Sequence, residues 1–250
     1  MTTFARGLVA AEILKLSTTR AARWVLAAGG LLVALAMSGA IASGGVPLAS
    51  LGTDDGLRTV MEHGGLPAIL PLILGVLMTA GEYRHGTVVD TFLTEPRRAR
   101  AVLAQLTAGA LVGLASGVVC AVVAAVTAAL WYAAKDVPLD LGSGVAVRSL
   151  VGIVAWQALY TVIGVAVGAV VRAQATAMVA VIAWIFIVET AIAGLVVSLG
   201  RWLPATAARA LGNAPDAGLL PQVGAAAVLL GWAVVLSAGA IGATARRDLA

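Results

Sequence analysis

Six long apolar runs, separated by short polar segments, dominate this 250-residue chain. A helix crosses the hydrocarbon core of a bilayer with about 20 mostly apolar residues, and it satisfies its own backbone hydrogen bonds there. Only 11% of the residues are charged, whereas soluble domains carry about 25%. The pattern predicts an all-α integral membrane protein with transmembrane helices at residues 25–43, 66–81, 102–131, 147–171, 175–199 and 223–243.

The first two apolar runs have unusual features. The first lies behind 24 mixed residues, which is long for the basic region of a cleaved signal peptide, so we expect it to be retained as a span. The second run is the shortest and contains Pro67 and Pro71. Because proline lacks a backbone N–H, we expect this helix to be kinked or to begin irregularly.

The basic residues between the runs predict the orientation. An even number of spans places both termini on one side, and cytoplasmic segments are enriched in Lys and Arg. The N-terminal side carries Arg6, Lys15, Arg20, Arg23, Arg84, Arg97, Arg98, Arg100, Arg172, Arg246 and Arg247, whereas the other side carries Arg58, Lys135, Arg148, Arg201 and Arg209. We therefore expect cytoplasmic termini and a multi-pass protein of the plasma membrane. Charges placed in the gaps between spans are topology signals, so no nucleic-acid partner is expected.

We treat residues 1–250 as one membrane domain with two unusual flanking segments. In residues 1–24, Val9, Ile13 and Leu16 have helical spacing and lie among basic residues, which favours an interfacial helix on the lipid bilayer over a plain basic flank. Residues 200–222 contain three prolines and many small apolar residues. This composition favours short broken helices dipping into the outer leaflet, and the alternative is a surface loop with one interfacial helix.

The link between the second and third spans, residues 82–100, is the most informative segment. Val88, Val89, Phe92 and Leu93 have the spacing of a short amphipathic helix, which Thr94-Glu95-Pro96 would end. An ordinary positively charged loop explains the arginines that follow but not this apolar cluster. The cluster indicates docking, either on the lipid surface or on a partner protein.

Motifs for chemistry on this chain are missing from the sequence. The phosphate-binding pattern GxxxxGKS/T does not occur, and the two lysines, Lys15 and Lys135, follow Leu14 and Ala134 rather than glycine. We therefore expect no ATP hydrolysis on this chain, which we do not classify as an enzyme. HExxH, CxxC and GxSxG are also missing, so we expect no cofactor or metal.

Among the polar residues deep within the predicted spans, Glu189, Gln157 and Tyr160 are the main candidates for a functional role. Ionisable residues inside a membrane are costly and frequently functional. We expect Glu189 to face the bundle and to form a hydrogen bond with Gln157 or Tyr160, either as a structural carboxyl or in a transport role. Small-residue stripes favour close packing within or between chains, and they are Gly109, Gly113 and Gly117 in the third span and Gly164 and Gly168 in the fourth.

The chain resembles the type-2 ATP-binding-cassette (ABC) exporter permeases. That family has a Glu-Tyr-Arg-x-Gly-Thr run after its second span and an arginine-rich entry to its third. The run is matched here by Glu82, Tyr83, Arg84, His85, Gly86 and Thr87, and the entry by Arg97, Arg98 and Arg100. Trp202-Leu203-Pro204 after the fifth span and Glu189 within it are also similar to the family pattern.

The resemblance implies the membrane subunit of an ATP-driven exporter. A separate ABC subunit would bind ATP and Mg, and two permease chains, identical or different, would form one pathway. Residues around 82–94 would form the coupling helix on the ATPase, with Glu82, Tyr83, Arg84, His85, Gly86, Thr87, Val89, Phe92 and Leu93 as coupling residues. Small apolar side chains in the spans favour a lipophilic or amphipathic cargo.

Two alternatives remain open at this stage. One is an ion-coupled secondary transporter with Glu189 as proton carrier, which inverted repeats would support, although the sequence shows no convincing repeat. The other is a membrane-embedded enzyme or anchor subunit without a transport pathway. An enzyme needs a cluster of polar residues deep within the spans, and Glu189, Gln157, Tyr160 and small hydroxyls are too few to indicate one.

Overall fold

The computed structural model describes residues 3–246, which form helices and connecting loops without a β-strand. Arg247, used above for orientation, and residues 1–2 of the expected interfacial helix lie outside the described residues. In chain order the helices are α1 (Thr3–Thr18), α2 (Arg20–Ala42), α3 (Leu48–Leu51), α4 (Asp54–Glu62), α5 (Ile69–His85), α6 (Val88–Thr94), α7 (Arg98–Ala134), α8 (Gly144–Val171), α9 (Gln174–Ala183), α10 (Glu189–Leu195), α11 (Val197–Gly200), α12 (Pro204–Leu211) and α13 (Gln222–Arg246).

Six helical segments of the described chain are long and apolar enough to span a membrane. They are α2, α4 with α5, α7, α8, α9 with α10, and α13. The six predicted spans are thus confirmed as helical segments of sufficient length. The protein is built as an all-α, multi-pass membrane protein.

The second span begins irregularly, as its prolines predicted. A 3₁₀ turn at Leu66–Ala68 contains Pro67 and leads into α5. Before it lies α4, which the sequence analysis did not predict. The Thr53 side chain accepts a hydrogen bond from the Gly56 N–H at 3.1 Å and so caps α4, whose buried side chains include Leu57 and Val60.

The centre of the bundle is α8, which packs against α5, α7 and α13. The small-residue stripes lie in these contacts, so they serve packing within the chain. A Cβ atom added to Gly113 of α7 would lie 2.7 Å from Ala158 Cα, and one added to Gly117 would lie 2.6 Å from Val154 Cα. Such spacing requires glycine, because any larger residue would push the helices apart.

Polar contacts group the loops into two opposite ends of the bundle. At one end Lys15 contacts Glu82, and Arg172 donates to the Ala243 carbonyl at 3.5 Å. At the other end the Asn213 amide donates to the Ser149 hydroxyl at 3.0 Å, and the Gln222 amide donates to the Arg148 carbonyl at 2.8 Å. This grouping agrees with the two sides assigned from the charges. The cytoplasmic identity of the first end stays a prediction.

The segment between the fifth and sixth spans forms short broken helices, α11 and α12. Ala207, Ala208 and Leu211 of α12 are buried, and the helix packs on α13 and α8. The segment is therefore part of the bundle rather than a loop on its surface. Its location in the outer leaflet stays a prediction, as does the interfacial placement of α1.

Candidate functional site

Glu82 is the centre of a buried hydrogen-bond cluster at the α6 end of the bundle. It lies near the end of α5 and is 9% exposed. Lys15 Nζ of α1 donates to its Oε1 at 2.7 Å, and Gln105 Nε2 of α7 donates to its Oε2 at 3.0 Å. The Thr91 hydroxyl of α6 donates to Oε2 at 3.3 Å. Glu82 was expected among residues facing a partner, but it points inward and joins four helices.

Lys15 serves two carboxylates, since its Nζ also lies 2.8 Å from Glu12 Oε1. Glu12 is buried, and this burial raises its pKa, with repulsion from Glu82 adding to the increase against the opposing effect of Lys15. Burial alone would lower the pKa of Lys15, but hydrogen bonds to Glu12 and Glu82 outweigh it and raise that pKa.

This pairing differs from the expectation for residues 1–24, whose basic residues were placed at the lipid bilayer. Lys15 instead contacts two carboxylates of the protein. Glu12 faces inward, because the shared ammonium of Lys15 compensates its charge and that of Glu82.

The other residues of the 82–87 run fix the end of α5. The Arg172 guanidinium lies over the Tyr83 ring at 5.1 Å, and Arg84 Nη1 donates to Gln174 Oε1 at 3.4 Å. Gly86 ends the helix in the left-handed conformation, with φ at +73°, which favours glycine. His85 and Thr87 are exposed.

The helix α6 exposes two apolar side chains, while its other side packs against the rest of the protein. Val88 is buried, and the Arg98 guanidinium lies 5.4 Å from the centre of the half-buried Phe92 ring. Val89 and Leu93 are 47% and 76% exposed. The short helix was predicted around residues 82–94, but residues 82–85 belong to α5, and the separate helix runs only from Val88 to Thr94 before the next helix begins at Arg98.

A second candidate site lies within the spans, around Glu189. The fifth span changes from α9 to a π-helical turn at Trp184–Val188 before α10 begins with Glu189. Such turns are rare and frequently occur at functional sites. Glu189 is 2% exposed, and its Oε2 accepts from the Ala205 N–H at 2.7 Å. Ala205 follows Pro204, the first residue of α12, so Glu189 caps the start of that helix.

Glu189 faces the bundle as expected, but its expected partners were wrong. The Gln157 side chain instead accepts from the Ser116 hydroxyl at 3.3 Å, because it is turned towards α7. The Tyr160 ring makes an edge contact with Trp156, with centroids 6.0 Å apart. The free N–H groups of α12 provide a stronger local donor for the carboxylate than either side chain.

Beside Glu189 is a cavity of about 260 Å³. It is lined by Leu72, Tyr160, Ile163, Val167, Ala180, Val181, Trp184, Ile185, Glu189, Pro204, Trp232 and Leu236. The Trp184 and Trp232 rings lie 6.4 Å apart, and the Trp232 N–H donates to the Trp202 carbonyl at 3.0 Å. Sequence reasoning missed both tryptophans; their position inside apolar runs was the only available signal.

The described residues therefore form two candidate functional sites. One is the short helix α6 with its exposed apolar pair, and the other is an apolar cavity with a single carboxylate. No protein-family model and no curated protein matches this chain. The resemblance to ABC exporter permeases thus depends on its own motifs.

Proposed function

We propose that this chain is the permease subunit of an ATP-driven ABC exporter and that α6 is its coupling helix. The observation that carries the proposal is the exposed apolar pair Val89 and Leu93 on a short helix between two spans. Apolar side chains that project together from a short polar link are typical of a docking surface.

The attachment of α6 supports a protein partner that moves it. Thr91 connects α6 to Glu82, and the Phe92–Arg98 contact connects it to the start of α7. Through Glu82 and Lys15 the same cluster reaches α5 and α1. A displacement of α6 would therefore be passed to several spans at once, which is what a coupling element needs.

In this proposal a separate ABC subunit binds ATP and Mg, and it seats α6 on its surface. Two permease chains, as a homodimer or heterodimer in the plasma membrane, enclose the pathway. Closure of the ATPase pair rocks the two chains, and the cargo, lipophilic or amphipathic, moves outward.

The test is co-purification with a phosphate-loop ATPase encoded beside this chain. The double variant Val89→Asp/Leu93→Asp should reduce the recovered ATPase at least tenfold, because two charges would enter an apolar contact. The matched control is Leu48→Asp, at a residue that is 59% exposed on α3. It should leave recovery unchanged.

One result of this co-purification would contradict the proposal. If the double variant retains the ATPase as well as the Leu48→Asp control does, the coupling assignment of α6 is wrong. Membrane integration of each variant is checked by its yield in the detergent-extracted fraction. All three substituted side chains are already exposed, so we expect both variants to be recovered in normal yield.

A further inference from the structure

We propose that the cavity beside Glu189 binds a lipophilic ammonium cation, with the Glu189 carboxylate as its counter-charge. The cavity lies within one chain, between α5, α8, α12, α13 and the fifth span, which comprises α9, the π-helical turn and α10. Its lining combines one carboxylate, three aromatic rings and aliphatic side chains. Each of these three parts indicates a different portion of the ligand.

The carboxylate indicates a positive charge. Glu189 is 2% exposed, and among residues 3–246 its Oε1 has no hydrogen bond of normal geometry, although the uncharged Trp184 indole lies within reach of the carboxylate. No lysine or arginine is among the described residues that line the cavity. An uncompensated buried carboxylate is costly, and an entering cation removes that cost. The ligand thereby gains affinity that a neutral molecule of the same shape lacks.

The aromatic rings favour an ammonium group rather than a metal ion. Trp184, Trp232 and Tyr160 line the cavity together with Glu189. Organic ammonium groups bind to the faces of aromatic rings, and tryptophan is the best of these. The bond between the Trp232 N–H and the Trp202 carbonyl holds that ring in place without using its face. Carboxylate ligands for a metal would need to be more numerous.

The size and the remaining lining define the rest of the ligand. Leu72, Ile163, Val181 and other aliphatic side chains supply an apolar wall. A volume of about 260 Å³ is slightly below the roughly 300–1,000 Å³ of sites for drug-sized ligands. The occupant is therefore a compact cation with an alkyl or aryl tail, and a two-chain lipid is too large.

Binding at this site does not depend on transport. That the cation is the exported cargo rests on the proposed function. The two statements can fail separately, because binding is measured on the purified chain and coupling is measured by ATPase recovery.

The experiment uses the full chain in a neutral detergent and the probe trimethyl(4-phenylbutyl)ammonium. Its neutral control is the carbon isostere in which a tert-butyl group replaces trimethylammonium. Binding is followed by tryptophan fluorescence, since two of the six tryptophans line the cavity. We expect the cation to bind at least tenfold more tightly than the isostere.

The variant Glu189→Gln should abolish this preference. Its side-chain carbonyl still accepts from the Ala205 N–H, so the cap on α12 is kept while the charge is lost. Glu12→Gln, at a buried carboxylate that does not line the cavity, should keep the tenfold preference. A second variant, Trp184→Leu, should reduce cation affinity even if Glu189→Gln does not fold.

Two results would overturn the proposal. One is equal affinity of the native chain for the cation and its isostere. The other is an unchanged preference for the cation in Glu189→Gln or, if that variant does not fold, an unchanged affinity for the cation in Trp184→Leu. Neither result affects the ATPase recovery measured with the Val89→Asp/Leu93→Asp variant. Failure of the cation site can therefore be distinguished from failure of the coupling assignment.

Discussion

Lys15 shows how one residue can decide the orientation of a whole helix. Its ammonium lies between Glu12 on its own helix and Glu82 on α5. Both carboxylates are buried, and burial of either without a counter-charge would be costly. The shared lysine is half-exposed, so it stabilises α1 against the bundle while its charge still reaches water.

The first prediction concerns the pH dependence created by Glu12. Its pKa is raised in the folded chain, so its contribution to stability is complete below the ordinary value of 4.5 and is lost as the pH rises through the raised pKa. The Glu12→Gln variant lacks this loss. Its unfolding temperature, relative to the native chain, should therefore increase between pH 4.5 and pH 8. Thermal unfolding in detergent measures the difference.

The control for this experiment is Asp54→Asn, at an exposed carboxylate in the first turn of α4. This variant should show no such increase. Parallel pH curves for Glu12→Gln and the native chain would contradict the assignment of Glu12 as a buried carboxyl with a raised pKa.

The hydrogen-bond partners of individual site residues could not be predicted from the sequence. The inward position of Glu189 follows from its place in an apolar run, because a carboxylate avoids lipid. Its partner, the Ala205 N–H, depends on how a proline-broken segment folds back over α10. The inward turn of Glu82 similarly depends on Lys15, which is 67 residues away in the chain.

At the scale of elements, α8 holds the fold through glycine contacts on two sides. A Cβ atom on Gly164 would overlap the Leu72 carbonyl oxygen, and one on Gly168 would lie 2.7 Å from the Val76 carbonyl oxygen. On an adjoining part of its surface α8 meets Gly113 and Gly117 of α7. Close backbone approach lets van der Waals contacts replace the hydrophobic effect, which does not drive association inside lipid.

The second prediction is that Gly164→Ala destabilises the protein by about 1–3 kcal/mol, the usual cost of forced overpacking. The added methyl group meets a carbonyl of a neighbouring helix, which cannot move aside as a side chain would. The matched control is Gly39→Ala on α2, where nothing lies within 4 Å of the added Cβ. Thermal unfolding in detergent should separate the two variants; an equal effect would refute the close α5–α8 contact.

The sequence predicted the long elements better than the short ones. Spans are long and apolar enough for composition alone to identify them. The C-terminal end of α6 followed from Pro96, but its start at Val88 did not, since the predicted helix also included residues 82–87. Helix α4 was missed although Thr53 and two following aspartates marked its start. The π-helical turn at Trp184–Val188 has no local sequence signature, and it lies directly before Glu189, which caps α12.

At the scale of the molecule, α5 joins the two candidate sites. Leu72 near its start lines the cavity, and Glu82 near its end holds α6 and α1. The ten residue steps from Leu72 to Glu82 span about 15 Å at 1.5 Å per residue. Gly164 and Gly168 of α8 pack along the same stretch. A movement imposed on α6 therefore has a rigid connection to the cavity, through a helix whose neighbour leaves it little room to bend.

The last prediction concerns the direction in which this molecule crosses the membrane. The chain has one cysteine, Cys120, which is buried and should not react with a membrane-impermeant maleimide. Cysteines are introduced at two exposed positions, Thr94→Cys at the α6 end and Lys135→Cys at the other. If the arginine-rich end is cytoplasmic, Lys135→Cys is labelled in intact cells, whereas Thr94→Cys is labelled only after permeabilisation.

The same experiment also tests the number of crossings between the two positions. Thr94 and Lys135 are separated by α7 alone, so one crossing puts them on opposite sides. Labelling of both positions in intact cells would contradict α7 as a span. The reverse pattern would keep the six spans but place α6 outside, where an ATPase could not reach it, and the coupling proposal would then fail with the orientation.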